Sequence, residues 1–142
     1  MKEQPIAVAL AIIEQEGKFL LQLRDDIPNI RYPGHWGLFG GHLEPEETPE
    51  AALIRELLEE IDYQAIAPTK FRCYNNNEVI RHIYHVPLKV SVEALALNEG
   101  WDLRLVELAD IQRGNCYSPK ANELRPLGKI HQQILLDFIT SR

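Results

Sequence analysis

Glu56, Glu59 and Glu60 stand at spacing i, i+3, i+4 in a chain of 142 residues. Residues three and four apart are neighbours on a helix surface, so these carboxylates would share one face. At about 100° per residue they span an arc of roughly 100°. Each like-charge pair at that spacing costs roughly 0.2–0.5 kcal/mol. Glu59 and Glu60 would also fall in a last helical turn, where the macrodipole favours cations and each wrong-sign charge costs about 0.3–1 kcal/mol. Asp62 adds another negative charge just beyond. Hard oxygen donors gathered in this way suit Mg²⁺ or Mn²⁺, whose binding offsets the repulsion. A solvated acidic face is the competing reading, and spacing alone leaves both open.

The flanking residues supply the helix. Thr48 fits an N-cap and Pro49 a first helical position, where its missing N–H costs nothing, so a helix is predicted to about Ile61. Ala51, Ile54, Leu57, Leu58 and Ile61 recur on the side away from the glutamates and predict the core face there. Upstream, the apolar runs Pro5–Glu14 and Lys18–Arg24 flank Glu16-Gly17 and read as a β-hairpin. Asp25–His35, with two prolines, an Asn and a Gly, reads as a long loop of the kind that carries function. Trp36–Phe39 reads as a short strand ending at Gly40-Gly41. Downstream, Phe71–Tyr74 and Val79–Val90 are predicted strands joined at Asn75-Asn76-Asn77, and Leu103–Leu108 is a further one. Pro126 to about Ile139 is a predicted closing helix, with Ile130, Ile134, Leu135 and Phe138 at helical spacing. With no repeat or linker, this order predicts a single domain over residues 1–142, of α+β or layered α/β/α class.

Formal net charge is −6, from 15 Lys+Arg against 21 Asp+Glu. That balance argues against broad binding to nucleic-acid polymers, which rests on neutralising phosphates with Lys and Arg. A small polyphosphate remains a suitable partner if a divalent cation brings the positive charge. Cys73 and Cys116 form no CxxC-type pair and read as two unlinked thiols of a reducing compartment. The apolar run Pro5–Ile13 is bounded by Glu3, Glu14 and Glu16 and is far too short to span a bilayer. A cytoplasmic protein without membrane partners is expected.

The segment GHLEPEETPEAALIRELLEEIDY, Gly41–Tyr63, closely resembles the Nudix box: Gly, five residues, Glu, seven residues, Arg-Glu, a bulky aliphatic, any residue, Glu-Glu, any residue, Gly, a bulky aliphatic. Gly41, Glu47, Arg55, Glu56, Leu57, Glu59 and Glu60 all fall in register. Asp62 and Tyr63 depart from the pattern, standing where it has Gly and an aliphatic. The family glycine closes the helix in a left-handed conformation, which Asp tolerates better than most residues, so the ligands are expected to be kept. YPGHWGLFGG (Tyr32–Gly41), NEGWDLRLVEL (Asn98–Leu108) and the closing helix are also similar to family members.

This resemblance implies the Nudix fold, a mixed β-sheet sandwiched between helices. It implies Glu56 and Glu60 as principal Mg²⁺ (or Mn²⁺) ligands with Glu59 beside them, the Gly40 carbonyl completing the shell, and Glu47 and Arg55 as orienting groups or plain braces. The activity implied is hydrolysis of a diphosphate bond in a nucleoside triphosphate or modified nucleotide, giving a nucleoside monophosphate and pyrophosphate. A nucleotide sugar or ADP-ribose is the alternative substrate, and a non-catalytic nucleotide sensor the alternative role, in a monomer or homodimer. Glu99 is a candidate general base or extra ligand, against a solvated turn residue. Arg24 could meet a phosphate or brace a loop, and Tyr32 could stack on substrate. Trp36 and Phe39 fit the core better than a stack. Asn122, in Ala121-Asn122-Glu123, is similar to a base-reading Asn of the oxidised-guanine-nucleotide hydrolases. His82 and His85, an odd number apart in one strand, should face opposite sides. His35 and His42, flanking the Gly40-Gly41 turn, read as loop histidines. Specificity is expected in Asp25–His35 and Arg113–Arg125.

Overall fold

A computed structural model describes residues 4–142. Strands β1 (Ile6–Gln15) and β2 (Lys18–Leu23) form the expected hairpin. They are followed by β3 (Trp36–Gly37), β4 (Phe39–His42), α1 (Pro49–Ile61), β5 (Thr69–Asn75) and β6 (Val79–Pro87). A 3₁₀ turn (Val92–Ala94), β7 (Asp102–Val106), α2 (Leu108–Arg113), β8 (Asn115–Ser118), β9 (Glu123–Pro126) and α3 (Lys129–Thr140) complete the chain.

The mixed sheet is organised around β1, which pairs in parallel with β6 along almost its whole length. Its other edge is shared: Ile13–Gln15 pair with β2, while Val8–Ala11 pair with β4. Further along, Gln22 and Leu23 of β2 pair with β3 instead, while the opposite edge of β2 pairs with β7 over Phe19–Leu23. The sheet therefore forks on one side of β1. The Trp36–Phe39 strand expected from sequence is in fact two, broken at Leu38, because its first half follows β2 and its second half follows β1. Each face of β1 has its own core. Ala9, Ala11 and Ile13 pack with Leu53, Leu57 and Ile61 of α1, and the small alanines let that helix lie close to the sheet. Leu10 and Ile12 pack on the other side with Ile111 of α2 and Ile134, Leu135 and Phe138 of α3.

Other element ends move for local reasons. β6 stops at Pro87, and the next amide, Leu88, bonds to Glu14 instead of continuing to Val90. The predicted Leu103–Leu108 strand ends at Val106, because Leu108 opens α2, where the Asp110 carboxylate accepts the Glu107 N–H at 3.2 Å. The closing helix begins at Lys129, since Pro126 is still paired in the β8–β9 hairpin and the Leu127 and Gly128 amides bond to Gly114 and Trp36.

The buried face of α1 also differs from the expected one. Ala52, Leu53, Leu57, Glu60 and Ile61 are buried, whereas Ala51 and Leu58 are exposed. The helix is thus rolled by about 100° from the orientation its apolar pattern suggested. Glu60 faces inward, Glu56 lies at the edge and Glu59 faces water.

Candidate active site

Helix α1 is fixed at both ends before its carboxylates are placed. Thr48 Oγ1 accepts the Ala51 N–H at 3.1 Å, and Pro49 occupies the first turn. Asp62 adopts φ 56°, ψ 32°, the left-handed closure expected at this position. Its N–H bonds to the Leu58 carbonyl at 3.1 Å and that of Tyr63 to Leu57 at 3.3 Å, the paired bonds of a Schellman end. The remaining last-turn carbonyls are met from the segment before β7: Ala96 N–H donates to Ile61, Asn98 N–H to Glu60 and Asn98 Nδ2 to Glu59. Capping of the helix by Ala96 and Asn98 is what brings Glu99 to the carboxylates.

Two glycines make room for the site. Gly40 has φ +143°, and a Cβ there would stand 2.0 Å from the Ala9 carbonyl oxygen, so β4 could not run this close to β1 with any other residue. At Gly41 a Cβ would fall 2.6 Å from Cδ of Glu56. The space a side chain would fill is the space the Glu56 carboxylate uses.

Glu56, Glu59, Glu60, Gly40 and Glu99 line one cleft of about 530 Å³ at the fork of the sheet, and Arg24 closes it from the end of β2. Asp25, Ile27 and Ile30 of the long loop form its far wall. Glu60 is only 4% exposed. Its Oε1 accepts the Gly40 N–H at 3.2 Å and its Oε2 the Gln22 amide at 3.4 Å. Burial first, and then the charges of Glu56 and Glu99, push its carboxyl up to about 8. Arg55 pairs with Glu56 and Glu59, but among the described residues no cationic side chain pairs with Glu60 or Glu99, so the cluster of oxygen donors is only partly compensated. A hard divalent cation fits such a set, because it supplies the charge that the cluster lacks and that burial makes costly to omit. Among the described residues no three acidic, His or Cys side chains converge into a ready-made shell. The arrangement is open, as suits an ion that shares its coordination with waters and substrate oxygens.

Arg55 and Glu47 stand behind this cluster. Arg55 Nε and Nη2 donate to the two Glu47 oxygens at 2.8 and 2.9 Å, a bidentate pair. Nη1 donates to Glu56 at 2.9 Å and Nη2 to the His42 carbonyl at 3.1 Å. The Arg55 guanidinium, with help from the Glu44 N–H, holds the Glu47 carboxyl down to about 2. Bracing and orienting are here one role, because the fork that pins the 43–48 loop to α1 also aims Glu56.

The structure gathers Glu56, Glu59, Glu60, Gly40, Glu99 and Arg24 into one cleft and places Tyr32 in the wall of a neighbouring one. It takes Asn122 elsewhere. That residue lies exposed in the turn between β8 and β9, where its side-chain oxygen accepts the Tyr117 hydroxyl at 2.7 Å, and it lines neither cleft. Trp36 and Phe39 are fully buried core residues, with Trp36 Nε1 bonded to the Cys116 carbonyl. His42 sits exposed at the mouth of the cleft, while His35 bonds to the Pro33 carbonyl. His85 stacks on Phe138 of α3, and His82, one strand position out of phase, faces the α1 side. The Arg113–Arg125 segment contributes indirectly: Arg125 donates to the Gly34 carbonyl at 2.8 Å and pairs with Asp26, tying down the 25–35 loop. Sequence reasoning missed Gln22, Asn98, Arg81 and His131. Only Gln22, a lone amide inside an apolar strand, carried a local signal.

The NUDIX domain family model matches residues 3–127. The chain belongs to the Nudix family. Its curated relatives include the CTP pyrophosphohydrolase of Escherichia coli (strain K12), 36% identical over 86 residues, 58% of this chain and 62% of that protein. Nucleoside triphosphatase NudI of Enterobacter sp. (strain 638) is 38% identical over 69 residues, 46% of this chain and 48% of its own length. The matches thus span about half to three fifths of these relatives. Among solved structures, a MutT protein from Methanosarcina mazei Go1 superposes with a TM-score of 0.73 at 23% identity, covering 99% of this chain and 98% of that one. The Nudix domain of Shewanella oneidensis NrtR complexed with ADP ribose gives a TM-score of 0.74 at 20% identity, covering 99% and 90%. These structural likenesses establish the Nudix fold of the chain. Nudix hydrolases generally use a divalent metal ion, in agreement with the donor set of the cleft.

Proposed function

We propose that this Nudix chain is a cytoplasmic Mg²⁺-dependent hydrolase of a diphosphate bond in a nucleoside triphosphate or modified nucleotide, releasing a nucleoside monophosphate and pyrophosphate. The observation that carries the proposal is Glu60, a carboxylate only 4% exposed that lines one cleft together with Glu56, Glu59, Glu99 and Gly40. Glu56 and Glu60 would hold the ion, with Glu59 and the Gly40 carbonyl at its margin. Bound there, a divalent cation supplies charge neutralisation and Lewis acidity toward phosphate oxygens. Arg55, anchored by Glu47, keeps Glu56 in place. Arg24 meets a non-bridging phosphate oxygen from the opposite wall. Glu99 takes the proton of a water whose oxygen attacks phosphorus; the P–O anhydride bond breaks and pyrophosphate leaves with the electron pair.

A panel of nucleoside triphosphates, oxidised nucleotides and nucleotide sugars, assayed for Mg²⁺-dependent release of pyrophosphate or phosphate, tests this. Glu60→Gln should fold and lose about a thousandfold or more in turnover, as expected when the charge of a principal ligand is removed. Unchanged turnover would remove Glu60 from the mechanism. A second reading, an ADP-ribose-type substrate, is favoured by the ligand of the Shewanella domain, and the same panel decides between them. A flat panel with intact metal binding would favour a nucleotide sensor.

A further inference from the structure

Beside the carboxylate cleft lies a second one of about 360 Å³, which shares Arg24, Ile30, Gly40, Gly41 and His42 with it. Val8, Leu10 and Leu38 give it an apolar floor, and Arg24, Arg31 and Arg81 stand around it, with no carboxylate among the described residues of the lining. In a chain of net charge −6 this concentration of cations is local and unbalanced. Arg55, Arg72, Arg104, Arg113, Arg125 and Arg142 each hold an ion pair or hydrogen bond. Among the described residues, the side chains of Arg24, Arg31 and Arg81 hold none, and Arg24 Nε is buried without a partner. Burial pushes the Arg81 guanidinium down from its ordinary value, and the Arg31 charge beside it adds to the effect.

His131 extends the same chemistry. Its Nδ1 accepts the Leu38 N–H at 3.1 Å, which leaves the proton of the neutral ring on Nε2 as a donor. Burial, with the Arg81 and Arg24 charges, holds the ring neutral down to about 3. The wall of the cleft therefore offers donors and positive charge with few acceptors. Unpaired guanidinium groups held partly out of water are costly unless a ligand completes them. The arginine fork matches phosphate oxygens two at a time.

We propose that this second cleft binds a phosphomonoester carried on the organic part of the substrate, so that the preferred nucleotide bears a further phosphate besides its scissile diphosphate. The inference deepens the proposed hydrolysis and rests on it for the diphosphate, which would lie in the carboxylate cleft while the shared Arg24–Gly41 wall lets one small molecule reach both.

In a chelating buffer the carboxylates of the first cleft repel anions, and since Arg24 is shared by both clefts, Arg31 and Arg81, which line the second one alone, are the residues whose variants report on it. Calorimetric titration of the whole chain with AMP, adenosine and inorganic phosphate then tests the assignment. AMP should bind about tenfold or more tighter than adenosine, and inorganic phosphate should compete with it. Arg81→Gln should weaken AMP by about tenfold and leave adenosine unchanged. Arg31→Gln, at an exposed position that cannot disturb the core, should weaken AMP severalfold. Adenosine binding as tightly as AMP would make the cleft a base pocket and overturn the proposal. So would wild-type AMP affinity in both variants, or no AMP binding at all. Because these titrations contain no metal and read no turnover, their failure and that of the hydrolysis panel are separate events.

Discussion

Gly41 and Glu56 compete for one volume, so a substitution at the glycine tests the candidate site without removing any of its carboxylates. A methyl group at Gly41 would meet the Glu56 carboxyl at 2.6 Å, and Gly41 needs no positive φ, so the backbone itself accepts alanine. Gly41→Ala should lower turnover by about 100-fold, the scale of a misplacement near 1 Å, with a small change in melting temperature. Activity against Mg²⁺ concentration, alongside a thermal melt, checks both. At this scale much of the site was legible in the sequence. Glu56, Glu60, Glu59, Arg55 and Glu47 stand at fixed spacing within one element, and local spacing survives folding. Gln22 and Asn98 reach Glu60 and the helix end from 38 residues away in each direction. Long-range partnerships of that kind leave no periodic trace.

Helix α1 shows what an element's own sequence decides and what its neighbours decide. Its ends were legible because capping is local: Thr48 and Pro49 start it, and Asp62 closes it in the left-handed region. Its roll about its axis was not, because Leu58 and Ala51 satisfy an apolar pattern but face water, while the alanines of β1 choose which side lies against the sheet. The fork was hidden for the same reason. Leu38 divides a short apolar run only because β1 and β2 diverge beneath it. Asp62 is strained in this left-handed conformation and carries the wrong charge for a helix C-terminus. Asp62→Gly should stabilise the protein by about 0.5–1 kcal/mol, read as a melting temperature raised by roughly 2–4 °C.

Over the whole molecule, the composition legible in the sequence hid its own distribution. A net charge of −6 conceals a carboxylate cleft and an arginine cleft set side by side. The layered α+β architecture was legible from the order of strands and helices, whereas α2 and the β8–β9 hairpin were not, being too short for a pattern to declare. Three groups in this framework shape the pH dependence of stability. His131 is held at about 3 against an ordinary 6.5, so the unfolded chain takes the proton first. Its contribution is complete above about pH 6.5 and is lost as pH falls toward 3. Glu47, held at about 2 against 4.5, adds a loss of the same sign at lower pH. Glu60, pushed up from 4.5 to about 8, contributes with the opposite sign between those values, so the test is a difference: the stability advantage of wild type over His131→Gln in urea unfolding should shrink as pH falls below about 6.5.

The proposed cation site of the cleft rests on Glu56 and Glu60. Mn²⁺ titration followed by electron paramagnetic resonance, in wild type and in Glu60→Gln, measures it without requiring a known substrate. Saturable binding in the wild type, weakened by about tenfold or more in the variant with its melting temperature preserved, is the predicted result. Equal Mn²⁺ affinity in the two proteins would rule Glu60 out as a ligand of the ion.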